Sequence, residues 1–82
     1  MELKDTIDGM LSEDYKERFK AEYNQAVVRR DKLFNMLDKY MNKTLCFEPK
    51  SNIGLLLAQL DILNAYINIL RLRAGQEEVE II

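Results

Sequence analysis

The chain has 82 residues, 9.7 kDa, with 12 Lys and Arg against 14 Asp and Glu, a formal charge of -2. That is enough for one domain, and at 48% hydrophobic and 32% charged residues the composition is that of a folded chain rather than a disordered one. There is no His and one Cys, which excludes imidazole-dependent nucleophilic catalysis, a Cys/His zinc site and a disulfide within the chain.

The first segment, Met1 to Met10, carries Asp5 and Asp8 and has no apolar centre, so it reads as a short helical turn ending near Gly9 and not as a signal peptide. Ser12 is the expected N-cap of a first long helix, with Glu13 and Asp14 in its opening turn, where the helix dipole favours acids. No Pro or Gly follows until Pro49. The first helix is therefore placed at about 13–42, roughly 45 Å long at 1.5 Å per residue. Its apolar stripe steps by four and three through Phe19, Tyr23, Ala26, Arg30, Leu33, Leu37 and Tyr40, widened by Val27, Phe34 and Met41.

Residues 43–51 form the connection, closed by Pro49, and Ser51 or Asn52 caps a second helix at about 52–74. Gly75 is expected just past its end, followed by an acidic tail over 75–82. Val79 and Ile81 alternate with Glu80, so the tail could pair with Leu45–Phe47 as a small ribbon. Cys46 reads as a small buried hydrophobe, and a lone Cys suits a reducing cytoplasm.

The second helix carries two apolar stripes. One is Ile53, Leu56, Leu60, Leu63, Ile67, Leu70 and Ala74; the other is Leu55, Gln59, Ile62, Tyr66, Ile69 and Arg73. A hairpin partner covers only one stripe. The fold expected is therefore all-α: a two-helix antiparallel hairpin with a short N-terminal helical turn, copies of which assemble into a homo-oligomer that covers the second stripe. No run approaches the ~18 apolar residues of a membrane span.

Several side chains interrupt these faces. Arg30 lies within the first helix's stripe and needs a carboxylate, a carbonyl or an anionic ligand, or else snorkels at the edge. Arg29 and Lys32 flank it and complete a cationic patch suited to phosphate. Gln59, Tyr66 and Arg73 recur every seven residues: an amide can read a base edge, a phenol can stack and a guanidinium can grip phosphate, or the three can fix register between subunits. Tyr15, Phe19 and Tyr23 lie on one face among Lys16, Arg18 and Lys20, a pattern that suits base stacking or core; Phe19 and Tyr23 are read as core, and Tyr15, near the helix start, is left open between the two. No constellation supports general acid–base or metal chemistry, so the chain is read as no enzyme, with no cofactor.

Charge is uneven: residues 1–14 hold one Lys and five acids, residues 76–82 three acids, and residues 15–75 eleven Lys or Arg and six acids. A basic body with acidic ends fits a small anionic ligand and not a duplex-DNA groove.

The stretch Asp14-Tyr15-Lys16-Glu17-Arg18-Phe19-Lys20-Ala21-Glu22-Tyr23 resembles small proteins of crAss-like and other gut phages, with further matches at Arg29, Phe47, Pro49, Gln59, Tyr66 and Arg73. Arg30 departs from that pattern, where an aromatic is usual. The second-helix pattern of Leu56, Leu57, Gln59, Ile62, Tyr66, Leu70 and Arg73 is similar to the helical-hairpin domain of phage anti-CBASS and anti-Thoeris sponge proteins. The resemblance implies a phage protein in the cytoplasm of an infected bacterium. Such a protein oligomerises and sequesters cyclic oligonucleotide-type signals without cleaving them. It also implies ligand contacts between protomers, with Tyr15 and the Lys43–Thr44 pair as the matching positions. The expected ligand-binding set is thus Tyr15, Arg29, Arg30, Lys43, Thr44, Gln59, Tyr66 and Arg73. The competing expectation is an anti-CRISPR-like helical adaptor that docks a host defence protein through the second helix.

Overall fold

The computed structural model describes residues 1–81. The described residues are all-helical: a 3-10 turn Leu3–Thr6, then α1 (Ile7–Met10), α2 (Tyr15–Met41) and α3 (Ile53–Glu77), with no strand. The start of α2 meets the end of α3 and the residue past it, Tyr23 with Arg71 and Lys16 with Glu78, and the middles meet at Arg30 with Asn64. The 27 residues of α2, ~40 Å at 1.5 Å each, set the long dimension of a body measuring 43 × 24 × 19 Å.

Helix boundaries differ slightly from those expected. Asp14, not Ser12, caps α2: its Oδ1 accepts from the Lys16 amide at 3.0 Å, while Ser12 Oγ accepts from the Asp14 amide at 3.0 Å and shapes the approach. Asn52 caps α3, accepting from the Gly54 amide at 2.6 Å. The helix then runs through Gly75 and stops at Glu78, which adopts a left-handed conformation at φ 57°. Holding a non-glycine there costs roughly 1–2 kcal/mol. The turn folds Val79 back into the core, where it is buried beside Phe19 and Ala74, and burying such a side chain returns about 1.5–3 kcal/mol. The stop is set by packing and not by Gly75.

That docking also removes the expected ribbon. Val79 sits near the start of α2, whereas Leu45–Phe47 lies past the opposite end of it, so the two stretches cannot pair. Cys46, expected to be buried, is exposed in the connection. Of the tail, Ile82 lies outside the described residues.

The core is formed by Phe19, Ala26, Ile67, Leu70, Ala74 and Val79, with Tyr23, Val27 and Ile81 against it. The first stripe of α3 is the one turned inward: Ile67, Leu70 and Ala74 are buried, and Ile53, Leu56, Leu60 and Leu63 partly so. A further face of α2, not anticipated from the stripe, is covered by the N-terminal segment. Gly9 crosses so near Ala21 that a Cβ there would meet the Ala21 Cβ at 2.9 Å, so glycine is required for this approach.

The second stripe of α3 is uncovered within one chain: Leu55 and Ile62 are each 68% exposed, Leu72 64% and Ile69 54%. Contrary to the sequence expectation, α3 is long and apolar enough to cross a membrane by length and composition. It has 25 residues, mean hydropathy 1.6 over its best window, and 11% of that window is buried. Asp61, Asn64, Asn68 and Arg71 form a polar strip along it. A charge near the centre of a spanning helix costs about 2.5–3.5 kcal/mol.

Truncating Leu70, which is fully buried, to Ala is expected to destabilise the fold by about 2–5 kcal/mol in urea denaturation. Glu78→Gly is expected to stabilise it by up to ~1 kcal/mol, because it relieves the left-handed strain and leaves Val79 in place.

Candidate functional site

Helical spacing places Tyr15, Phe19 and Glu22 on one side of the first turns of α2, with Arg18 on the flank. Arg73 of α3 arrives opposite them. The Tyr15 and Phe19 rings meet edge to face, centroids 6.3 Å apart at 69°. Phe19 is buried; Tyr15 is 43% exposed, so one aromatic ring is anchored and its neighbour offers a free face. The Arg73 guanidinium lies over the Phe19 ring at 5.0 Å and is held by Glu77 at 2.7 and 3.3 Å. Arg18 donates to the Ser12 carbonyl at 2.9 Å and, among the described residues, joins no ion pair. Tyr66 donates its hydroxyl proton to Glu22 Oε2.

These groups line an open hollow of about 230 Å³ bounded by Met10, Tyr15, Arg18, Phe19, Glu22 and Arg73. Its chemistry is a stacking surface with two guanidinium groups beside it, an arrangement that accepts a planar base and an anionic group together. Its size is below the roughly 300–1,000 Å³ of pockets that enclose a whole small ligand. One chain therefore presents an open hollow that does not enclose a whole small ligand.

The eight residues singled out from the sequence separate into groups. Tyr15, Tyr66 and Arg73 come together here, linked through Glu22. Arg29 and Gln59 share a second hollow of about 230 Å³ with Leu3, Lys32, Leu33 and Leu63. Arg30 is satisfied elsewhere: its Nε meets Asp31 Oδ1 at 2.8 Å and its NH1 meets Asn64 Oδ1 at 3.2 Å. Lys32 donates to Glu2 Oε2 at 3.2 Å, which leaves Arg29 as the least engaged cation of that patch.

Lys43 and Thr44 lie beyond the far end of α2, ~40 Å along the helix from Tyr15, and terminate it. Lys43 is left-handed at φ 60°, and the Thr44 amide donates to the Lys39 carbonyl at 2.8 Å. Lys43 also borders a larger hollow of about 450 Å³ with Tyr40, Met41, Leu45, Phe47 and Glu48. That hollow offers one cation beside one acid, and lacks the paired guanidinium groups of the Tyr15 end. Arg18 and Glu22 were missed as site residues in the sequence; their signal was their place one helical turn apart alongside Tyr15 and Phe19.

The Sequestin family model matches residues 13–76, which spans both long helices and the connection. The chain belongs to the Sequestin family. The match agrees with the resemblance to sequestering sponge proteins read from the second helix. No curated protein and no solved structure matches this member of the family.

Arg73→Ala is expected to lower stability by about 0.5–1 kcal/mol, the worth of an exposed cation–π contact, with helicity by circular dichroism unchanged. A loss of several kcal/mol in chemical denaturation would instead mark Arg73 as a core element.

Proposed function

We propose that this chain is a phage-encoded immune-evasion protein that captures cyclic oligonucleotide-type second messengers in the cytoplasm of an infected bacterium. It holds them intact as a homo-oligomer. The observation that carries this reading is the convergence of the open Tyr15 face with Arg18 and Arg73 in a hollow too small for a whole nucleotide. Membership of a family named for sequestration supports it.

Capture follows from the chain's own groups. The base stacks on Tyr15, whose ring is steadied edge-on by Phe19. Arg18 and Arg73 grip phosphate; Arg73 exchanges its surface contact with Glu77 for the ligand's charge. Tyr66, oriented by Glu22, and Gln59 on the same edge of α3 supply polar contacts to base or sugar. Glu22, the carboxylate lining the hollow, is engaged by the Tyr66 hydroxyl, and the ligand leaves chemically unchanged. The apolar surplus of α3 meets other copies of the chain and not a lipid bilayer, because Asp61 and Arg71 would have to be desolvated in hydrocarbon. The same uncovered face supports the second reading, an adaptor that docks a host defence protein through α3.

A thermal-shift panel of cyclic dinucleotides, cyclic trinucleotides and cyclic ADP-ribose isomers tests the proposal. At a ligand concentration a hundredfold above Kd, stabilisation is expected to reach about 2.7 kcal/mol, a Tm rise of roughly 10 °C or more for a domain of this size. Tyr15→Ala and Arg73→Ala should each weaken calorimetric affinity by about tenfold or more. Ligand recovered after denaturing the protein should have its original mass. Silence across the whole panel, or a cleaved product, removes the sequestration reading.

A further inference from the structure

The hollow of about 450 Å³ at the α2–α3 connection, bounded by Tyr40, Met41, Lys43, Leu45, Phe47 and Glu48, lies a helix length away from Tyr15. Its size is within the roughly 300–1,000 Å³ of pockets that enclose a small ligand. One side of it is built by the way α2 stops. The Lys43 amide donates to the Tyr40 carbonyl at 3.1 Å and the Thr44 amide to the Lys39 carbonyl at 2.8 Å, the paired closure of a helix that ends on a left-handed residue. Glycine is the usual residue there, because the left-handed region crowds a Cβ. Here it is a lysine at φ 60°. At Glu78 the same conformation is accompanied by the docking of Val79 in the core. Lys43 is followed by Thr44, which is polar and exposed, so no apolar docking offsets its strain. A charged residue held in a disfavoured backbone at the rim of a cavity points to a use for its side chain.

The charges at this hollow are opposite in sign and unspent. Among the described residues, Lys43 and Glu48 join no ion pair, either with each other or with another group. Beside them Met41 and Phe47 are 57% and 55% exposed, and Tyr40 is partly buried. A phosphate here would be attracted by Lys43 and repelled by Glu48, and a simple cation the reverse; a zwitterion satisfies both. The last carbonyls of α2 add partial negative charge, which favours an ammonium on the Glu48 side. The exposed apolar surface favours a large flat side chain on the same molecule. We infer that this hollow binds a free aromatic α-amino acid. Lys43 takes the carboxylate, Glu48 and the end of α2 take the ammonium, and the aromatic ring covers Met41 and Phe47. The site shares no residue with the Tyr15 hollow and does not depend on nucleotide capture.

An NMR titration of the isotope-labelled full chain tests this. With L-phenylalanine raised to ~20 mM, saturable amide shifts are expected at Tyr40, Lys43, Phe47 and Glu48, with a Kd of about 1 mM, and none at Tyr15 or Arg73. N-acetylphenylalanine lacks the ammonium and phenylalaninamide lacks the carboxylate, so each should bind about fivefold more weakly or worse. Lys43→Asn removes the charge but keeps a residue that tolerates the left-handed backbone, and Glu48→Gln removes the acid from the exposed connection. Each should weaken L-phenylalanine by about fivefold with helicity unchanged. No saturable shift, or shifts centred on other residues, would overturn the site. Equal binding of the blocked analogues, or full affinity in both variants, would show a plain apolar patch and overturn it too. So would a cyclic dinucleotide that shifts these amides in place of those around Tyr15. Binding of L-phenylalanine with silence from every cyclic nucleotide leaves this site standing and removes the sequestration reading.

Discussion

Residues on a helix advance by about 100° each, so two apolar stripes that far apart cannot both face one neighbouring helix. That constraint governs this molecule. On α3 the stripe through Ile67, Leu70 and Ala74 is turned against α2, and the price is that Leu55, Ile62, Ile69 and Leu72 stay in water. The division is decided by packing density. The buried stripe meets Phe19 and Ala26, and the returning tail closes it with Val79. The outer stripe has no such partner in the chain, since the N-terminal segment is committed to α2, where Gly9 closes on Ala21. A fold this small thus retains a nonpolar stripe in solvent.

The same division places the polar groups. Gln59, Tyr66 and Arg73 sit where the inner and outer stripes of α3 meet, so each reaches toward α2 without being buried by it. Tyr66 finds Glu22, and Arg73 finds Phe19 and Glu77. A residue at such an edge is pre-oriented on one side and open on the other. The hollow at Tyr15 inherits this property: its floor is the packed Phe19 ring, its walls are held by weak exposed contacts, and its mouth faces outward.

Much of this was legible before any coordinates. The stripe assignments on α3 followed from periodicity and held, since burial of apolar area leaves little freedom in which face turns inward. Phe19 as core also followed from spacing. What could not be read was set by long-range packing. Gly75 has the chemistry of a helix stop, but the helix passes through it because Val79 gains more by docking four residues later. Arg30 looked like a ligand contact from its place in an apolar stripe, but Asn64 on α3, 34 positions away, satisfies it. The meeting of Tyr15 with Arg73 joins opposite ends of the chain, and no local pattern encodes it. Cys46 was misjudged for the converse reason: among the described residues, no packing partner buries it in the connection.

The uneven charge takes on a use once the ions are located. The acidic ends are not simply solvated. Glu2 reaches Lys32, Glu77 holds Arg73, and the Glu78 carbonyl receives Lys16. Exposed pairs of this kind contribute about 0–1 kcal/mol each. They are strong enough to orient a long side chain and weak enough to be exchanged for a phosphodiester anion. Arg73 is therefore held over Phe19 in a position from which it can transfer to a ligand at little cost, while Arg18, resting on a neutral carbonyl, gives up no ion pair at all. A net charge of -2 is compatible with the proposed anion capture because the cation at the hollow is paired only locally, Arg73 with Glu77. Under the proposed capture, affinity for a multiply charged ring depends on how many such cations one site gathers.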